Sequence, residues 1–155
     1  MFYLFLKSLH VVSVVLFLGN IITGVFWKMH ADRMGDLRAR AQALDGIIKS
    51  DRWFTMPGVF LIIGTGVWLA LIAGFPLLRT PWILWSLVLF AVSGIAFSTR
   101  VAPLQKKLLA NVRTGLAGNW DETEYKKMSR GWEVWGAIAT LAPLIAVFLM
   151  VMKPL

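Results

Sequence analysis

Cysteine is absent from this sequence, which excludes disulfides, thiolate metal sites and a cysteine nucleophile. Acidic residues are scarce: 8 Asp and Glu stand against 16 Lys and Arg, for a net charge of +8. Charge of any sign is sparse at 15% of the chain, where soluble domains carry about 25%. There is no Walker A loop, dinucleotide fingerprint, HExxH pair or serine-hydrolase elbow. Paired intramembrane carboxylates, internal repeats and low-complexity segments are missing too, so a proton-coupled carrier built on inverted halves is poorly supported. The basic excess flanks apolar runs, which points to an anionic membrane surface and not to nucleic acid.

What the chain has in abundance is apolar length. Of its 155 residues 58% are hydrophobic, and four runs exceed the about 20 helical residues that cross a hydrocarbon layer of roughly 30 Å. They cover residues 2–27, 53–75, 81–99 and 131–152. Spanning segments must satisfy their backbone amides internally, so helices are expected, and the runs lack the alternation of barrel strands. The fold class is therefore all-α: a polytopic four-transmembrane-helix bundle, one integral membrane domain over residues 1–155. The first run starts at Met1 without a basic leader or a convincing cleavage site, so it reads as a retained helix.

The connections differ in charge. Residues 28–52 hold six basic side chains and residues 100–130 hold seven, whereas the 76–80 turn has only Arg79 and the C-terminal tail only Lys153. The positive-inside rule places both long connections in the cytoplasm and both termini outside. Within the first connection, Met34, Leu37, Ala41, Leu44 and Ile48 recur at helical steps. This predicts a cytoplasmic amphipathic helix over Asp32–Lys49 whose apolar face lies along the membrane surface. Residues 105–112 extend the third span, Thr114–Trp120 form a turn, and Asp121–Arg130 lead helically into the fourth. Trp27, Trp53, Trp82, Trp132 and Trp135 fall near span ends, where indole suits the headgroup layer.

Polar residues inside spans are the places to look for function. On the first helix His10, Ser13, Phe17, Asn20 and Gly24 share one face, with Tyr3 a heptad before His10. Neutral imidazole is a good axial ligand for haem iron, and bundles hold cofactors between inward side chains. Spacing alone leaves a second reading open, a histidine that hydrogen-bonds across helices. His30, 20 residues further on, is too distant to share one iron with His10 and reads as interfacial. Lys7 reads as a snorkelling surface lysine. Ser86, Ser93 and Arg100 recur every seven residues and favour close packing of the third helix. Pro143 removes the partner of the Ala139 carbonyl. Glu133, the only acidic residue bordering a span, is expected to form a structural ion pair with Arg52 or Arg100.

Three segments carry a resemblance: LKSLHVVSVVLFLGN in the first helix, DRWFTMPGVFLIIGTGVWL entering the second, and FLMVMKPL at the end. In that order and spacing they resemble a bacterial family of uncharacterised four-helix integral membrane proteins. More distantly the pattern is similar to HemJ-type protoporphyrinogen oxidases and CopD-like membrane proteins. In the HemJ type an LKxLH motif supplies a haem-ligating histidine, which implies that role for His10. The resemblance places the chain in a bacterial inner membrane. The chain departs from the HemJ type early in the third helix, where Leu84 and Ser86 stand in place of a His-x-Lys pair, so porphyrinogen oxidation and a second axial ligand are not implied.

The resulting expectation is b-type haem bound through His10 in a redox or haem-handling role, with Tyr3, Ser13 and Asn20 around it. Two alternatives belong to other classes: a non-enzymatic scaffold or accessory subunit without cofactor, and an oligomer passing small molecules or ions. Beyond the lipid bilayer, the expected partners are a second copy of the chain or another membrane subunit.

Overall fold

The structure, a computed structural model describing residues 1–154, is four long helices. α1 runs Phe2–Met34, α2 Leu37–Ile72, α3 Pro81–Leu116 and α4 Glu122–Met152. All four are long and apolar enough to cross a membrane. Only 17% to 28% of each most apolar window is buried, because lipid, unlike water, gives apolar side chains no reason to turn inward.

The boundaries follow from local chemistry. α1 ends where Gly35 adopts φ 69°, its N–H returning to the Asp32 carbonyl, a left-handed C-terminal stop. Asp36 then opens α2 by accepting from the Arg38 and Ala39 amides, which satisfies two of the orphan donors at a helix start. Asp121 does the same for α4 through the Glu124 amide. Pro81 occupies the first turn of α3, where its missing N–H costs nothing.

α2 and α3 each contain one widened turn, Asp51–Thr55 and Phe97–Val101. Each lies just ahead of a proline, Pro57 and Pro103. Proline clashes with the carbonyl four residues earlier, here Trp53 and Thr99, both inside the widened turns. A π turn relieves that clash without breaking the helix.

At 36 residues each, α2 and α3 are about 54 Å long, well beyond one hydrocarbon layer. The excess gathers at the basic end of the bundle. The expected surface helix is in fact the first four turns of α2, continuous with the second span. Its apolar face turns inward: Leu44 is fully buried with Leu108 and Val112 of α3, and Leu37, Ala41 and Ile48 pack around them. An apolar stripe buries more surface against a second stripe than against headgroups. Met34, placed on that face by its spacing, stays exposed on α1, beyond the Gly35 break. Trp27 and Trp53 are exposed, but Trp132 is only 3% exposed and belongs to the core.

Within the apolar portion, α1 packs along α2 and α3 along α4, and at the basic end α2 also packs on α3. The α3–α4 contact is tied by Ser93, which donates to the Ala139 carbonyl at 2.5 Å; Ser86 gives its proton chiefly to the Trp82 carbonyl of its own helix at 2.7 Å, with the Ala146 carbonyl 3.3 Å away. Ala139 is the residue whose carbonyl Pro143 leaves without an intrahelical partner. α4 runs unbroken through that proline.

Candidate functional site

The polar face of α1 meets partners from neighbouring helices at three levels. His10 is nearest the short 73–80 turn. Its Nδ1 lies 2.8 Å from Thr65 Oγ1 of α2, and the Thr65 hydroxyl gives its own proton to the Leu61 carbonyl at 2.5 Å. With that proton spent, Thr65 accepts from His10 Nδ1–H, and the imidazole keeps its lone pair on Nε2. Gly66 makes the approach feasible: a Cβ there would sit 3.0 Å from His10 Cε1.

The other expected members of a His10 site are elsewhere. Tyr3 is exposed near the start of α1. Ser13 is buried, but its hydroxyl is occupied by the Leu9 carbonyl of its own helix at 2.7 Å. Asn20 is ten residues from His10, about 15 Å along the helix, and serves the second level. There its Nδ2 donates to Asp51 Oδ1 at 3.1 Å and to Thr55 Oγ1 at 2.9 Å. Thr55 donates to Asp51 Oδ1 at 2.8 Å and Gln105 of α3 to Asp51 Oδ2 at 3.1 Å.

The third level lies at the basic end. Lys28 is 1% exposed. Its Nζ donates to Asp32 Oδ2 at 2.6 Å and to the Ser129 hydroxyl, and Glu133 Oε1 lies 3.8 Å away. Trp132 and Tyr125 lie under the ammonium at 5.1 and 5.8 Å, within cation–π range. Arg40 approaches Asp32 from α2 at 3.6 Å and stacks on Tyr125 at 4.8 Å. Tyr125, ahead of the apolar part of α4, donates to Asp32 Oδ1 at 2.5 Å. Burial, helped by the adjacent Asp32 carboxylate, pushes its phenol above the ordinary range, so it remains a donor at any physiological pH.

Glu133 therefore pairs with Lys28 and not with Arg52 or Arg100. Arg52 points outward, and Arg100 lies over the Trp135 ring at 5.3 Å. His30 is exposed and stacks on Phe26. Lys7 is exposed as well. Lys153 ends α4 and lies over Trp82 at 5.5 Å, while Leu155 of the MKPL ending is outside the described residues. Among the described residues no three His, Asp or Glu side chains form a metal-ligand cluster.

The sequence reading missed Thr65, Asp51, Gln105, Lys28, Asp32 and Tyr125. For Lys28 a signal existed, because the stripe His10, Ser13, Phe17, Asn20, Gly24 reaches Lys28 by one more step of four. For α2, Asp51, Thr55, Gly58 and Thr65 likewise follow helical steps, obscured by the change of composition at Arg52.

Residues 4–154 match the family described as "Predicted integral membrane protein (DUF2269)". No curated protein and no solved structure matches the chain.

Proposed function

The chain belongs to this DUF2269 family of integral membrane proteins, and on that premise we propose that it binds b-type haem through His10 in a redox or haem-handling role. The observation behind the proposal is the 2.8 Å contact between His10 Nδ1 and Thr65 Oγ1: with the Thr65 proton given to the Leu61 carbonyl, it favours the Nδ1–H tautomer, whose lone pair is on Nε2. Ligating histidines are oriented in the same way, by a hydrogen bond on the other ring nitrogen. The fit is partial. His10 suits one axial position and Thr65 orients it, whereas Tyr3, Ser13 and Asn20 do not join it, and no second axial donor faces it. His10 would thus be the one protein ligand this chain supplies, with Thr65 orienting its ring. Haem, when bound, supplies one-electron chemistry; this chain supplies the ligand, its orientation and an apolar surround.

The absorption spectrum of the purified chain, with and without added haemin, decides the matter. A Soret band is expected in the wild type and lost in His10→Ala. Thr65→Val, which keeps the volume and removes the acceptor, should weaken haem retention roughly 10–100-fold. The same His10–Thr65 bond also favours a second reading, an accessory subunit in which it only joins α1 to α2. No Soret band in the wild type, with His10→Ala merely less stable, would replace the haem reading by that one.

A further inference from the structure

A cleft of about 290 Å³, open on one side past the exposed Met56, Ile63 and Ser98, has walls from all four helices. That is the lower edge of the roughly 300–1,000 Å³ occupied by small-molecule sites. Neither His10 nor Thr65 lines it. The walls are apolar and rich in aromatic rings, with Phe17, Phe90, Phe97 and Trp132 among them. Asp51, 8% exposed, is the one ionisable residue among the lining.

Asp51 is held by donors from three helices, Asn20 of α1, Thr55 of α2 and Gln105 of α3. All three are neutral. Donors aimed at both oxygens are the complement of an ionised carboxylate, which only accepts. Oδ1 takes two of these bonds and Oδ2 one, so Oδ2 retains an unused acceptor position. No cationic side chain among the described residues lies within ion-pair distance of Asp51. Lys28 is committed to Asp32 and Arg100 to the Trp135 face, while Arg52, next to Asp51 in sequence, is exposed. A carboxylate enclosed beside apolar walls without a counter-ion is costly. A second unsatisfied group borders the same space: the indole N–H of Trp132 is buried without a partner.

We propose that this cleft binds a small organic cation, an ammonium or guanidinium group on an apolar body, with Asp51 as its counter-ion and the aromatic walls enclosing the body. The volume equals that of roughly ten waters in the liquid, at about 30 Å³ each, room for a small organic ion. A bare metal ion is a poor match. The Asn20 and Gln105 amides present N–H groups to the carboxylate, leaving too few free oxygens for the six or so ligands a hard cation takes. Aromatic faces instead attract a diffuse organic cation once it is desolvated.

The test is calorimetric titration of the full chain in lipid nanodiscs with benzylammonium and with neutral benzyl alcohol, empty nanodiscs serving as the blank. One saturable site is expected, with benzylammonium at least about tenfold tighter than the alcohol. Asp51→Asn keeps the size and loses the charge, and should erase that preference. Gly136→Leu places a side chain where a Cβ meets nothing within 4 Å on the cleft wall, and should abolish binding of both probes. Equal affinities in the wild type overturn the proposal, as does a preference that survives either substitution. If Asp51→Asn does not fold, the wild-type ratio and Gly136→Leu decide alone. The readout involves neither haem nor His10, so its outcome is separate from that of the Soret experiment.

Discussion

At the scale of single residues, Lys28 is the least expected feature. A lysine with 1% exposure is tolerable only because Asp32 and Ser129 accept two hydrogen bonds from it and Glu133 adds a carboxylate 3.8 Å away. It lies where α1, α2 and α4 converge, with Arg40 and Tyr125 completing the shell around Asp32. Removing the lysine leaves Asp32 with Arg40 and Tyr125, so the loss should fall below the about 3–5 kcal/mol of a fully buried pair stripped of one partner. Lys28→Met keeps the apolar stem and should lower the thermal midpoint of the purified protein by that mechanism. Asp32→Asn in the Lys28→Met background should then cost much less than in the wild type. Strictly additive midpoint losses would refute the coupling. This residue was readable as the next step of the α1 stripe, but a lysine beside an exposed Trp27 reads first as an interfacial charge.

At the scale of elements, the prolines explain more than the glycines. Pro57 and Pro103 are absorbed by widened turns, whereas Pro143 is absorbed by a neighbour, Ser93. The distinction yields a cycle. Ser93→Ala strands the Ala139 carbonyl in an apolar interior and should cost about 0.6–2 kcal/mol. Ser86→Ala should cost less, because the Ala146 carbonyl has no proline four residues on and keeps its helical donor. In a Pro143→Ala background the restored amide N–H satisfies Ala139, and Ser93→Ala should become nearly neutral. Steric-trap or thermal measurements on the four chains check this; a Ser93 penalty unchanged by Pro143→Ala would disprove the shared acceptor. The four spans and the orphaned Ala139 carbonyl were legible in the sequence because lipid and proline impose one-body rules. The inward turn of the Leu37–Ile48 face was not, since an amphipathic stripe fits a headgroup layer and a partner helix equally well. The same holds for His10: its residue type was visible, but Thr65 sits in a stretch so uniformly apolar that no face stands out until α1 and α2 are paired.

At the scale of the whole molecule, charge and length point the same way. Thirteen basic residues fall in 28–52 and 100–130, and those segments form the packed extension that continues α2 and α3 past the apolar core by about 20 Å. An end built from salt-bridged, hydrogen-bonded side chains such as Lys28, Asp32 and Arg40 suits an aqueous or headgroup setting. The opposite end offers a short turn with Arg79 as its one charge. Translocating the basic end would carry those charges across the bilayer against the retention that positive residues impose. The orientation proposed, with both termini outside and the extension in the cytoplasm, is testable in a background that contains no cysteine. Arg79→Cys in the exposed turn and Asn119→Cys in the exposed loop before α4 provide one reporter per side. An impermeant maleimide should label Arg79→Cys on intact cells and Asn119→Cys only after permeabilisation. The reverse pattern would show that the packed extension is extracytoplasmic, and that its basic residues serve the bundle's own ion pairs more than its insertion.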